Sequence, residues 1–263
     1  MDSIANADAN ASLDAFMEAL QHHVDTTIDS HRESIRAFIA GIGPVTDAAR
    51  LAQRHLERHV APQFSVFEYF REDEVILSKI LADLLSPHGV HGQGTAFLRL
   101  LLDEMERRNA SGEGLQVRKA HDYDDLEHCE VHTEHAIPQG RIDIVLRIDR
   151  SKWIGIENKP WTKERRNQLG DYIDYLDGQD DRSCILFFSG TGNPSGTIPF
   201  KMKGRYLTVP YRESASGPSV EHWIDRCLSS CEAEAVRWFL KDLLAYIRRM
   251  FGAVTTGGDN DES

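Results

Sequence analysis

The segment Gly140–Pro160, G-R-I-D-I-V-L-R-I-D-R-S-K-W-I-G-I-E-N-K-P, narrows the possible folds of this chain more than any other stretch. Apolar residues alternate on both sides of a short polar turn, which is the pattern of a β-hairpin. Ile142, Ile144, Leu146 and Ile148 share one face of the first strand, and Arg141, Asp143, Val145 and Arg147 take the other. Ile154 and Ile156 form the apolar face of the second strand, leaving Trp153, Gly155, Glu157 and Lys159 opposite. A three-residue loop at Asp149, Arg150 and Ser151 sets Ile144 against Ile156 and Leu146 against Ile154, and it predicts Asp143 against Glu157. A slip of one residue would destroy that match.

Directly opposed side chains have Cβ atoms ~4.5–5.5 Å apart, and two like charges there destabilise a sheet. A single carboxylate on a strand is most simply a solvated residue, but an opposed pair beside a lysine needs compensation. A divalent cation supplies it, because Mg²⁺ or Mn²⁺ is held by one or two carboxylates together with water and phosphate oxygens.

Asp143, thirteen intervening residues and then Glu157-Asn158-Lys159 resemble the signature of the PD-(D/E)XK nuclease superfamily. The surroundings strengthen the likeness. Arg165-Arg166-Asn167-Gln168-Leu169-Gly170-Asp171-Tyr172 is similar to the helix that follows in that superfamily, whose Q-x-x-x-Y pair borders the active site; Leu169, Ile173 and Leu176 form its apolar stripe. Upstream, Glu74–Ser78, Leu81-Ala82, Leu84-Leu85, Pro87, Gly89, His91–Gly94 and Phe97-Leu98 resemble a block found in a bacterial subfamily. The matching stretches run from about residue 64 to 176. Two positions depart from the pattern: Ile142 stands where the eponymous proline would be, and Leu77 where the subfamily has a histidine.

The resemblance implies an α/β fold with a restriction-endonuclease-like core, a central mixed β-sheet flanked by helices, and an N-terminal helical extension. It implies a phosphodiester hydrolase acting on DNA, with RNA as the alternative substrate, in phage defence or DNA repair. A catalytically inactive nucleic-acid-binding or regulatory module of the same fold is the contrasting expectation, and homo-oligomers are compatible with either. Asp143 and Glu157 are the expected Mg²⁺ (or Mn²⁺) ligands, the backbone carbonyl of Asn158 completes the set, and Lys159 orients or deprotonates the water. Glu74 is the expected supporting acid, with Glu134 as its rival. Gln168 and Tyr172 orient phosphate or Lys159, and His88 and His91 approach the cleft from their turn. Arg141, Lys163, Arg165 and Arg166 are the expected nucleic-acid contacts, with Lys201, Lys203 and Arg205 as a second cluster.

A net charge of −12 runs against binding a polyanion, so its distribution matters. Residues 141–206 carry 12 basic and 9 acidic side chains, a net +3, while every other quarter of the chain is acidic. So limited a patch predicts weak binding without metal and steep loss of affinity with salt.

No run of 18 apolar residues exists, and Met1–Asn6 lacks the basic and apolar regions of a secretory signal, so a cytoplasmic location is expected. Cys129, Cys184, Cys227 and Cys231 form no CxxC pair, and the spacing of His128, His132 and His135 around Cys129 suits no standard zinc site.

The chain is expected to divide into a helical extension over 1–60, a nuclease-like domain over 61–252 and a disordered tail over 253–263. In the extension, Leu13, Phe16, Met17, Leu20, Val24, Ile28, Ile35, Phe38 and Ile39 recur at helical spacing, Gly41, Gly43 and Pro44 end that helix, and a second runs from Val45 to His59. Further helices are predicted at Glu72–Leu85, Thr95–Arg108, Lys163–Leu176 and Val220–Met250. Strands are predicted at Glu130–Ile137, Arg141–Ile148, Trp153–Asn158, Cys184–Ser189 and Arg205–Val209.

Overall fold

The computed structural model describes residues 2–61, 64–70, 72–110, 125–161, 165–193, 195–196, 200–213 and 218–252. Its contacts divide the chain into two compact units, Met1–Phe64 and Ser65–Ser263.

The first unit is one helix, α1 (Asp2–Val60), with Pro44 inside it. The expected stop at Gly41–Pro44 is therefore overturned. A proline removes one backbone donor and weakens a helix, but it need not end one when flanking turns continue the same pattern. Here Ile42 and Val45 extend the apolar stripe across the proline without a change of phase.

In the second unit the alternating segments form strands β1 (Glu130–Ile137), β2 (Gly140–Ile148), β3 (Lys152–Lys159), β4 (Cys184–Ser189) and β5 (Tyr206–Pro210). They make one five-stranded sheet in the order β1-β2-β3-β4-β5. β1, β2 and β3 are antiparallel neighbours, whereas β3, β4 and β5 run parallel. The sheet is mixed because the first three strands are joined by tight turns, while helix α4 (Gln168–Asp177) carries the chain from β3 to β4. The hairpin register is the expected one, with Ile144 opposite Ile156, Leu146 opposite Ile154 and Ile148 opposite Lys152. Asp149 and Arg150 take left-handed backbone conformations (φ 50° and 59°), which closes the loop in three residues.

Helices cover both faces. Ile144, Leu146, Ile148, Ile154 and Ile156 face a core shared with α2 (Glu74–Leu85), α3 (Ala96–Ala110), α5 (Val220–Ser230) and α6 (Glu234–Met250). Val145 and Ile185 face a smaller core with Leu169, Tyr172, Ile173 and Leu176 of α4. Ile142 also joins this second core, against the alternation that grouped it with Ile144. Strand regularity breaks beside it. The β1–β2 ladder pairs Thr133 with Ile144 and His135 with Ile142, and between them Glu134 has a left-handed backbone (φ 52°). Ile142 and Val145 thus share a core, and the unpaired position between the two ladder pairs falls at Asp143.

The long helix expected over Val220–Met250 is two helices. Cys231 is extended (φ −74°, ψ 129°), and the Arg237 guanidinium donates to the carbonyls of Leu228 (2.8 Å) and Cys231 (3.0 Å), satisfying groups that a continuous helix would have bonded internally. The segment Lys163–Leu176 becomes a helix only from Gln168; residues 162–164, including Lys163, lie outside the described residues, as does the tail from residue 253. Among the described residues, no helix is long and apolar enough to cross a membrane.

Candidate active site

The site is built where β2 and β3 emerge beside the first turn of α2. β3 is the central strand, so Glu157 and Asn158 are fully buried although both are polar. Their neighbours account for that burial. The Asn158 side chain donates to Ser78 Oγ of α2 (3.0 Å) and accepts from the Tyr211 hydroxyl (2.6 Å), while its main-chain N–H donates to Asp143 Oδ2 (2.8 Å). The β2–β3 ladder ends at Ile144 and Ile156, and just past it Asp143 reaches β3 through its carboxylate, at Asn158, with no ladder pair between Asp143 and Glu157.

Lys159 ends the strand and gathers the acids. Its Nζ lies 3.0 Å from Glu157 Oε1, 3.3 Å from Glu74 Oε2 and 3.9 Å from Asp143 Oδ2. Glu74 is held there because Asp73 caps α2, its side chain accepting the Ile76 N–H (2.9 Å), which fixes the first turn of the helix. On the other side Gln168 Nε2 donates to Glu157 Oε1 (2.6 Å) and meets the Tyr172 hydroxyl (2.8 Å), which in turn donates to the Arg141 carbonyl. Gln168 is itself oriented by the Arg165 N–H, which donates to its Oε1 (2.8 Å). Beyond Lys159 the chain is tightly confined. A Cβ on Gly190 would stand 1.8 Å from the Pro160 carbonyl oxygen, so only glycine lets β4 leave beside β3 there.

Burial and like charge disturb the acids. Glu157 is pushed up to about 8, chiefly by burial and then by the Asp143 carboxylate, with Lys159 opposing. Asp143 is also raised by burial, against the pull of Lys159 and the Asn158 N–H. For Lys159 burial favours the neutral amine, but the carboxylates of Glu157, Asp143 and Glu74 outweigh it and the pKa rises. Its ammonium therefore stays charged. Tyr172 is raised to about 12, first by burial and then by Glu157, so its hydroxyl remains a donor.

A hard divalent cation suits these groups. Glu157 Oε2 is buried with no hydrogen-bond partner, an arrangement that costs free energy until something positive reaches it. Among the described residues, no group of three or more His, Cys, Asp or Glu side chains is arranged to hold an ion alone. A cation held beside these acids would need main-chain, water or substrate oxygens to complete its shell.

The other expected contacts divide. Glu134 forms an ion pair with Arg141 (3.1 Å) and not with Lys159. Arg165 is engaged by Asp171 (2.8 Å) and by the Gln139 carbonyl (3.1 Å), while Arg166 is exposed on the turn before α4. Arg205 is tied to Asp177 and Ser183, and the side chains of Lys201 and Lys203 are not among those described. His91 is buried in its own turn: Nδ1 accepts from the Gln93 N–H (3.0 Å), so Nε2 carries the proton toward the Ser86 carbonyl (3.0 Å), and the ring stacks on Phe97. His88 is exposed and lines a groove of about 480 Å³ with His128, His132 and Arg150. Neither histidine is therefore brought to the acids in the way their turn suggested. Around Cys129 the histidines are separately engaged, His128 with Asp125, His132 with Glu130 and His135 with Tyr175.

The contacts of Ser78 and Tyr211 with Asn158 escaped the sequence reading. Ser78 carried a faint signal, a small polar residue one turn after Glu74 among the apolar positions of the same helix. Tyr211 carried none, because it follows the last strand.

Comparison with family models matches residues 63–248 to the model of the PD-(D/E)XK nuclease superfamily. No curated protein and no solved structure matches the chain. The matched span runs from before α2 through most of α6 and takes in Glu74, Asp143, Glu157, Lys159 and Gln168, so the chain belongs to the PD-(D/E)XK nuclease superfamily.

Proposed function

We propose that this protein is a Mg²⁺-dependent deoxyribonuclease in which Asp143 and Glu157 hold the metal and Lys159 assists attack on the scissile phosphate. One observation carries the reading: three carboxylates from α2, β2 and β3 converge on the Lys159 ammonium, and one buried carboxylate oxygen among them is unsatisfied. The main-chain carbonyl of Asn158 is the further oxygen assigned to the metal. A bound divalent cation supplies neutralisation of phosphate charge and a lowered pKa for water. With a cation on the acids, Lys159 would give up part of its ion pairing and present its positive charge toward the phosphate. Lys159 would act there as a hydrogen-bond donor and counter-charge beside the acids. Glu74 positions Lys159 from the helix side, and Gln168 with Tyr172 fixes Glu157 from the other.

DNA is the assigned substrate, and defence against phage or DNA repair the assigned setting; both rest on the family resemblance. Incubation of plasmid and linear DNA, with RNA as a parallel arm, in Mg²⁺ or Mn²⁺ tests the reading. Equal cleavage by wild type and Asp143→Ala refutes the site. Calorimetric titration separates a binding module: intact folding without Mg²⁺ or Mn²⁺ binding would favour it.

A further inference from the structure

Helix α1 (Asp2–Val60) presents a seam that nothing in its own unit covers. Ile28, Ile35, Ile42, Ala49 and Leu56 recur every seven residues. His31, Phe38, Val45, Ala52 and His59 recur at the same period, three residues later. This is the 3-4 spacing of a left-handed coiled coil. Met17, Leu20 and Val24 continue it toward the N-terminus with one extra four-residue step at Ile28, an insertion that coiled coils absorb by local unwinding. The seam is open to solvent: Ile35 is 58% exposed, Phe38 68%, Val45 68% and Leu56 53%. Pro44 lies off the seam, between the Ile42 and Val45 rows.

Charge selects the occupant and its direction. From Asp2 to Asp29 the chain has six acidic residues and no basic one, whereas residues 30–60 hold five arginines and three acids. Two copies in parallel would set the acidic halves side by side. In an antiparallel pair the acidic half of each lies along the basic half of the other, bringing Glu18 near Arg54 and Met17 near Leu56. The nine large apolar seam residues expose roughly 100 Å² each, or about 900 Å² per copy, which meets the ~800 Å² that each partner gives to a stable interface.

We propose that α1 pairs with α1 of a second copy of this chain as an antiparallel coiled coil, giving a dimer that carries two copies of the Ser65–Ser263 unit. This does not depend on the nuclease assignment. Sedimentation of the full chain at micromolar concentration is expected to give twice the 29.8 kDa monomer mass. Phe38→Glu is expected to give monomer with unchanged helical circular dichroism, while Arg36→Glu, off the seam, stays dimeric. For direction, Met17→Cys and Leu56→Cys variants are mixed and cross-linked, with the native cysteines out of the way because all four are buried. Cross-linking between Met17→Cys and Leu56→Cys chains is expected. A wild-type monomer, whether its seam is bare or folded back on the same chain, overturns the proposal, as does Met17→Cys joining itself.

Discussion

The Lys159 ammonium stands 3.0 Å from Glu157 Oε1, yet the other oxygen of that carboxylate is buried without a partner. One ammonium faces three carboxylates there. That imbalance separates this cluster from a structural ion pair, in which both oxygens would be satisfied, and it makes Glu157 the group most sensitive to an added cation.

Removing Asp143 or Glu157 as alanine is expected to lower DNA cleavage by at least ~100-fold, the scale seen when a group stabilising transition-state charge is lost. Lys159→Ala is expected to lose as much in kcat, with little change in Mg²⁺ affinity measured by calorimetry. Unchanged cleavage for any of the three would contradict the roles assigned to them.

The two candidate supporting acids predict different outcomes. Glu74 lies 3.3 Å from Lys159, whereas Glu134 pairs with Arg141 at 3.1 Å. Glu74→Gln is expected to reduce kcat by about tenfold or more, consistent with a misplaced catalytic cation, and Glu134→Gln to leave kcat within about twofold. The reverse ranking in single-turnover assays would move the supporting role to β1.

Stability should depend on pH in a definite direction. Glu157 sits at about 8 when folded against an ordinary 4.5, so between those values the metal-free folded state holds a proton that the unfolded chain has released. Stability is greatest below about 4.5 for this group and declines as pH rises through 8. Asp143, also raised, adds to the decline, while Lys159 titrates above this window. The Tm of chelator-treated protein is expected to fall by a few degrees from pH 5 to 8. Mg²⁺ should raise Tm more at pH 8 than at pH 6, because the metal displaces that proton. A flat metal-free profile, or the same profile in Glu157→Gln, would count against the assignment.

Tyr211→Phe leaves the fully buried Asn158 Oδ1 without its donor. The expected loss is about 1–3 kcal/mol of unfolding free energy, measured by urea titration, with Ser78→Ala comparable through the Nδ2 contact. Both variants should also lower activity, since the same residue carries the N–H that holds Asp143.

Local pattern was enough to place the hairpin, its register and the neighbourhood of Asp143, Glu157 and Lys159, because a period of two leaves only one pairing that buries Ile144, Leu146, Ile154 and Ile156 together. Gln168 and Tyr172 were legible for a similar reason, being one turn apart on a helix with an apolar stripe on Leu169, Ile173 and Leu176. Other features depended on elements distant in the chain. Ile142 joins the α4 core, and Asn158 is gripped by Ser78 and Tyr211, residues 80 and 53 positions away. Glu74 over Glu134 was likewise undecidable from spacing, since either acid lies near Asp143 once β1 and α2 are packed and only the packed backbone aims one at Lys159. Periodicity reports which residues share a face of one element; which groups meet between elements is decided by packing, where burial demands that each polar atom find a partner.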